Sequence, residues 1–296
     1  MPYRLRKSDK SLAGALRRIA CEQIDRARAA AARPGDNPEG IHEARARCKK
    51  LRGLIRLVRP AFDGFDTENA AFRDAARALE RLRAGGAGRE TLDRLALARP
   101  EGLDPEALAA IRADFAAEAA ALPHLATDRA ADIATFDAIL GAARARVAGW
   151  RLSARGFAPA RKGVQKTCAQ GRRGLERARA THAPEAFHDW RKPVKYHWYH
   201  AQLLRPIKPA RIDPRRALAQ RLGEILGHHH DLHDMRAHLA QGAFAPGAVA
   251  AMQAPIAAEL ARLEAEALRL GERLHAEEPD ALARRWERWW RDWRDR

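Results

Sequence analysis

β-Branched residues are scarce in this sequence: 5 Val, 11 Ile and 6 Thr in 296 residues. A sheet-based fold uses more of them. Rossmann-like, P-loop and OB architectures are therefore disfavoured, and no GxxxxGK[ST] segment argues for a phosphate-cradling loop. Cysteine is nearly absent too. Cys21, Cys48 and Cys168 cannot build a disulfide framework and show no metal spacing, which fits a reducing cytosol. Aromatic residues make up 6% of the chain, so stacking platforms for single-stranded nucleic acid are few. Long apolar runs are missing as well. The longest stretch without Asp, Glu, Lys or Arg is residues 237–258. Gly242, Pro246, Gly247 and Pro255 interrupt it, so it reads as a join between helices and not a membrane span. Residues 12–16 form too short an apolar stretch for a signal peptide. The expected compartment is the cytoplasm.

What the sequence does have is helix-forming residues and positive charge. Ala, Leu, Arg and Glu dominate, and all favour helix. Hydrophobic residues reach 46%, enough for a sizeable core and too many for disorder. Lys and Arg number 55 against 38 Asp and Glu, a net charge of +17. Such an excess points to a polyanionic partner. Asn37-Pro38, Asp104-Pro105 and Asp213-Pro214 each pair an N-cap with proline at the first helical position. Helix stops fall at Pro34-Gly35, Pro60, Gly85-Gly86, Pro123 and Pro206. The expected fold class is all-α, with helices near 9–32, 38–59, 67–84, 88–98, 105–121, 128–149, 158–180, 185–204, 214–240, 248–275 and 280–294.

Charge is distributed in blocks. Residues 1–99 hold 23 Lys/Arg and 13 Asp/Glu, and residues 141–221 hold 20 and 4. Residues 100–140 hold 2 and 8, and residues 222–296 hold 10 and 13. Each basic block is thus followed by an acidic one, as an internal duplication would leave it, with halves of about 1–140 and 141–296.

The two basic blocks carry related segments, 41–60 (IHEARARCKKLRGLIRLVRP) and 187–206 (FHDWRKPVKYHWYHAQLLRP). At an offset of 146 residues, His42 aligns with His188, Arg45 with Arg191, Lys49 with Lys195 and Pro60 with Pro206. The shared pattern is HxxRxxxK. On a helix His42, Arg45, Lys49, Arg52 and Arg56 fall within an arc of roughly 80°. Ile41, Cys48, Leu51, Leu54, Ile55 and Val58 occupy an adjoining apolar arc of roughly 140°. The cationic stripe borders the core face, so it would lie along a half-sheltered groove. His188, Arg191 and Lys195 repeat the stripe, flanked by Lys192 and Tyr199. A solvated basic face is the plainer reading of one such helix. Repetition of the stripe without interspersed acids argues for an anion among the cations.

A second motif follows in residues 218–235, LAQRLGEILGHHHDLHDM, with a counterpart in residues 76–95 where Arg89-Glu90 replaces His230-Asp231. HxxR(K)xxxK on one helix and LGxxxD on a later one, both present twice, resemble the CHAD family, the conserved histidine α-helical domain. The second half carries the resemblance through His188, Arg191, Lys192, Lys195, Tyr199, Leu226, Gly227, His230 and Asp231. The first half carries it through His42, Arg45, Lys49, Lys50 and Arg52, and departs from it at Arg89-Glu90. The resemblance implies two four-helix-bundle-like halves related by pseudo-twofold symmetry about a basic cavity that binds inorganic polyphosphate, in some members on polyphosphate granules. It also implies a stand-alone binding module with no cofactor and no catalysis. The fused CYTH triphosphatase domain of many members needs an ExExK strand, and Glu264-Ala265-Glu266 lacks the lysine. Arg221 and His230, on the helix of the second motif, complete the expected binding set. Granule proteins are the further partners that the resemblance implies.

Three other readings compete. His229/His233 and His230/Asp234 have the i, i+4 spacing of metal ligands, and His230-Asp231 looks like the dyad of HD-type phosphohydrolases. The surrounding arginines are a poor host for a divalent cation, so no metal is expected. Nucleic acid would satisfy the charge equally well, though only as a non-specific competitor. Trp286, Trp289, Trp290 and Trp293 form a stripe that could lie on a membrane interface. Closing the core of the second half is the expected role.

Overall fold

A computed structural model of the protein describes residues 3–35, 37–80, 82, 87–121 and 126–296. Among these residues the only regular structure is helical, with no strand. The helices are α1 (Leu12–Ala31), α2 (Pro38–Leu57), α3 (Phe65–Ala78), α4 (Ala87–Ala98), α5 (Pro105–Ala121), α6 (Ala126–Arg146), α7 (Ala158–Thr181), α8 (Pro184–Leu204), α9 (Pro209–Gln241), α10 (Pro246–His275) and α11 (Pro279–Asp295).

Local chemistry explains the boundaries. Asn37 accepts the Gly40 amide at 2.9 Å and donates its side-chain amide to the Ala30 carbonyl at 3.0 Å. One side chain therefore starts α2 and satisfies the end of α1. Asp104 accepts the Glu106 amide at 3.0 Å ahead of Pro105. Asp213-Pro214 behaves otherwise. α9 begins at Pro209 and carries Pro214 in its interior. Asp213 does not cap, because its carboxylate holds Arg205 and Arg216 at 2.8 and 3.2 Å. Pro209, after the 3-10 turn Arg205–Ile207, already supplies the fixed φ that opens a helix. α3 stops at Ala78, short of the expected residue 84. The expected stops at Gly85-Gly86 and Pro123 lie outside the described residues.

The helices assemble into two rings. In one, α1 packs on α2, α2 on α3, α3 on α6 and α6 on α1. In the other, α7 packs on α8, α8 on α9, α9 on α10 and α10 on α7. Each ring encloses a core. The first contains Ile19, Leu51, Ile55, Phe72 and Phe136. The second contains Phe187, Trp190, Leu222, Leu226 and Leu263. The sequence division near residue 140 is crossed in both directions. α4 and α5 join the second core through Leu92, Leu95, Ile111 and Phe115. α11 returns to the first core with Leu282, Ala283 and Trp286. The tryptophan stripe does close a core, but not the second one as expected. Trp286 is buried among first-core residues, and Trp289, Trp290 and Trp293 pack partly buried around it. The reason is that α11 lies on the early part of α7, where Phe157, Ala160 and Val164 belong to the first core.

Candidate functional site

The rings meet where α2 packs on α8. Gly53 makes this approach possible. A Cβ built there would lie 2.8 Å from the Tyr199 Cβ, so only glycine fits. His200 points its Nε2 at the Gly53 carbonyl, 3.2 Å away. Tyr199 is thereby a buried packing residue, 5% exposed, between Gly53 and the ring of Tyr3. Burial pushes its phenol pKa up. It forms the floor of the junction and not an outer flank of the stripe.

Along this junction runs a seam of cations. The Arg56 guanidinium lies 4.3 Å from the Tyr196 ring centroid and 5.3 Å from that of Phe65. Its Nε is buried with no hydrogen-bond partner among the described residues, and burial lowers its pKa. Arg52 donates to the neutral Asn69 side chain at 3.0 Å. Arg191 lies flat on α9. A Cβ at Gly227 would come within 3.1 Å of its Nε and Nη2. The Leu226-Gly227 pair of the second motif thus has a physical purpose, leaving room for a guanidinium against the helix. Lys195 lies over Gly223 in the same way and sits 4.3 Å from the Trp198 ring centroid. Burial, then the charges of Arg191 and Lys49, push its pKa down to about 8.

The other expected residues divide around this seam. Arg45 is held, donating to the Ala76 carbonyl at 3.1 Å and reaching Glu80 at 3.5 Å. His42 and Lys49 are exposed on α2. Lys192 is exposed and paired with Asp189 at 2.9 Å. Arg221 lies on the α10 side of α9, where Glu266 holds it at 3.0 Å. His188 and His230 come together, with ring centroids 4.1 Å apart, at the mouth of a cleft of about 900 Å³. Burial, with His230 and Lys192 nearby, lowers the His188 pKa. Glu185, Asp189 and Asp234 also line this cleft, so its charge is mixed.

The HD-like pair does not act as a unit. His230 faces Asp234 at 3.3 Å, while Asp231 is held by Arg94 of α4 at 3.0 Å. Sequence reading missed Arg94 at this place because α4 reaches α9 only through the crossover. It also missed Tyr196, whose ring carries Arg56.

Among the described residues, Arg52, Arg56, Arg191 and Lys195 make no ion pair with a carboxylate. Elsewhere arginines are paired across the surface, as Arg28 is with Asp137 and Arg262 with Glu259. Carboxylates act on the seam cations only without contact, Asp74 on Arg52 and Glu224 on Lys195, and half-buried cations compensated so weakly gain from an added anion. The family comparison is specific: the CHAD domain model matches residues 18–240. The chain belongs to the CHAD domain family. No curated protein matches it.

Proposed function

We propose that the protein binds inorganic polyphosphate along the α2–α8 seam, with Arg52, Arg56, Arg191, Lys195 and Lys49 as its central contacts. The carrying observation is that the half-buried Arg52, Arg56, Arg191 and Lys195 make no ion pair with a carboxylate among the described residues; the exposed Lys49 joins them by position alone. A phosphate polymer has no bases to read, so affinity must come from many Lys/Arg contacts. Arginine adds two-pronged phosphate contacts. His42 and His188 extend the row at the starts of α2 and α8, and Arg45 supports it from the α3 side. Arg221 and Tyr199 stand outside the contact set.

A pseudo-twofold relation between the rings is part of this reading. It is supported by the neighbour order within each ring and by the junction itself. Gly53 meets Tyr199 and the Lys49 charge reaches Lys195. Both pairs are 146 residues apart, the offset of the sequence repeat. Two parallel helices beside a local twofold axis would make such contacts.

The reading is one of binding without hydrolysis, in the cytoplasm and at polyphosphate granules. The contacts proposed here are all cations, and Mg²⁺ prefers sites built from carboxylates. The test is competition at fixed ionic strength between long-chain polyphosphate and duplex DNA of equal total charge. Polyphosphate should win, with affinity falling steeply as salt rises. Preference for DNA would overturn the assignment and favour nucleic-acid binding. Phosphate release from the polymer with Mg²⁺, Mn²⁺ or Zn²⁺ would overturn the non-enzymatic part.

A further inference from the structure

His229 and His233 occupy successive turns of α9 on the side that meets α10. Glu264 of α10 completes a group whose three donor atoms lie within 4.8 Å of one another. His229 Nε2 is 3.2 Å from Glu264 Oε1. His182, at the end of α7, places its Nδ1 3.3 Å from the other carboxylate oxygen and fixes its orientation. His229 is buried and packed on the Phe187 ring, with centroids 4.7 Å apart. His233 Nε2 is buried with no hydrogen-bond partner among the described residues. His233 also lines the 900 Å³ cleft, which gives an ion a way in.

We propose that His229, His233 and Glu264 form a binding site for a divalent transition-metal ion of the zinc class. Two imidazoles and a carboxylate are a donor set that suits Zn²⁺, and they leave a coordination position open towards water or an anionic oxygen. Mg²⁺ and Ca²⁺ prefer all-oxygen sites and are poorly served here. Without an ion the Glu264 carboxylate can accept a hydrogen bond from His229 Nε2–H. An ion on Nε2 would leave the proton of the neutral imidazole on Nδ1, which is buried with no hydrogen-bond partner among the described residues and so restrains affinity. The His233 Nδ1 lies 3.3 Å from Arg236 Nη2. With an ion on Nε2, Nδ1 carries the proton and Arg236 loses its acceptor. Arg236 is therefore a restraint on affinity. Arg236→Gln offers an amide oxygen to Nδ1–H instead, the outer-shell contact that metal-bound imidazoles favour.

The site lies on α9 and α10, off the α2–α8 seam, so its test needs no polyphosphate. Tag-free full-length protein is titrated with Co²⁺ as a spectroscopic stand-in, then with Zn²⁺ against a chromophoric chelator. We expect one ion per chain and the intense visible absorption of a tetrahedral Co²⁺ site. His233→Gln and Glu264→Gln each replace a partly exposed side chain and should weaken binding by about 100-fold or more. His230→Gln, in the same histidine string but outside the donor set, should leave it unchanged. Arg236→Gln should tighten it by about 10-fold. Unchanged helical circular dichroism separates lost ligands from lost folding. Absence of a stoichiometric Co²⁺ site in the wild type would overturn the proposal. So would a spectrum that persists in both His233→Gln and Glu264→Gln, because the ion would then sit elsewhere.

Discussion

The two copies of the HxxRxxxK helix share a spacing but not a state of readiness. In α2, Arg45 is anchored to a carbonyl of α3 and leans towards Glu80. In α8, the corresponding Arg191 lies on Gly227 with its Nε buried and unpartnered. One arginine has its hydrogen bonds supplied by the protein. The other has a buried Nε with no partner among the described residues. An incoming phosphate adds little where contacts already exist and much where they are missing. Equal sequence motifs can thus carry unequal binding energy, and the neighbouring helix sets the difference.

The comparison breaks most sharply under charge reversal. Arg191→Glu should weaken polyphosphate binding by about 100-fold, since it removes a charge-assisted contact and places repulsion beside Lys195. Arg45→Glu should cost about 10-fold. Arg288→Glu on α11, with the same change in net charge, should cost no more than about 2-fold. Equal losses in the three variants at matched salt would mean diffuse attraction and no seam.

A single methyl group gives a finer cut. Gly227→Ala places a Cβ 3.1 Å from Arg191 Nε and must lift the guanidinium. We expect binding to weaken by about 5-fold while thermal stability holds or rises, because alanine is the better helix residue by about 1 kcal/mol. A parallel loss of stability and binding would show that Gly227 serves packing alone.

pH separates the two copies again, through Lys195. Its folded pKa of about 8 lies below the usual lysine value. Above pH 8 the free protein sheds this proton while the unfolded chain keeps its own. Stability of the free protein should therefore rise between about pH 8 and 10. Bound phosphate needs the charged form, so affinity should fall over the same range by a few-fold. Calorimetry in buffers of different ionisation heat would register proton uptake on binding, and Lys195→Arg should abolish both trends.

The smallest expected effect on binding comes from acid. His200 and His275 are buried neutral, with burial pushing each pKa down to about 3, and burial also holds His197 well below its usual value. As pH falls below about 6.5 the unfolded chain takes up protons that these side chains refuse. Stability should drop by a few kcal/mol towards about pH 4. Binding near neutral pH should not register these groups. Urea denaturation across this range measures the effect, and a flat profile would show that other groups compensate.

Much of this was legible in the sequence because it depends on local chemistry. Asn37-Pro38 and Asp104-Pro105 set helix starts through contacts a few residues away. The 146-residue offset that aligns His42 with His188 also pairs Gly53 with Tyr199 across the junction. What stayed hidden depends on partners distant in the chain. Asp213-Pro214 looks like a cap until Arg205 claims the carboxylate. Tyr199 looks like a flank of the stripe until Gly53 is seen to receive it. Arg221 carries the right charge, but Glu266 of α10 holds it. The i, i+4 histidines are visible in sequence, yet Glu264 is not, since no local spacing connects α9 to α10.

The crossed ends of the fold bear on how the chain is made. Trp286 belongs to a core whose other walls are synthesised first, and α4 and α5 belong to one whose walls come later. During translation the first core waits, incomplete, for α11, while Phe115 and Ile111 have no surface to join. The first core is complete only once α11 is made, and α4 and α5 meet their core only once α7–α10 are made. Folding should therefore be late and concerted, with long-range contacts making it slow for an all-helical chain. A truncation before residue 279 would leave the first core without Trp286, and a nascent chain of that length should remain protease-sensitive.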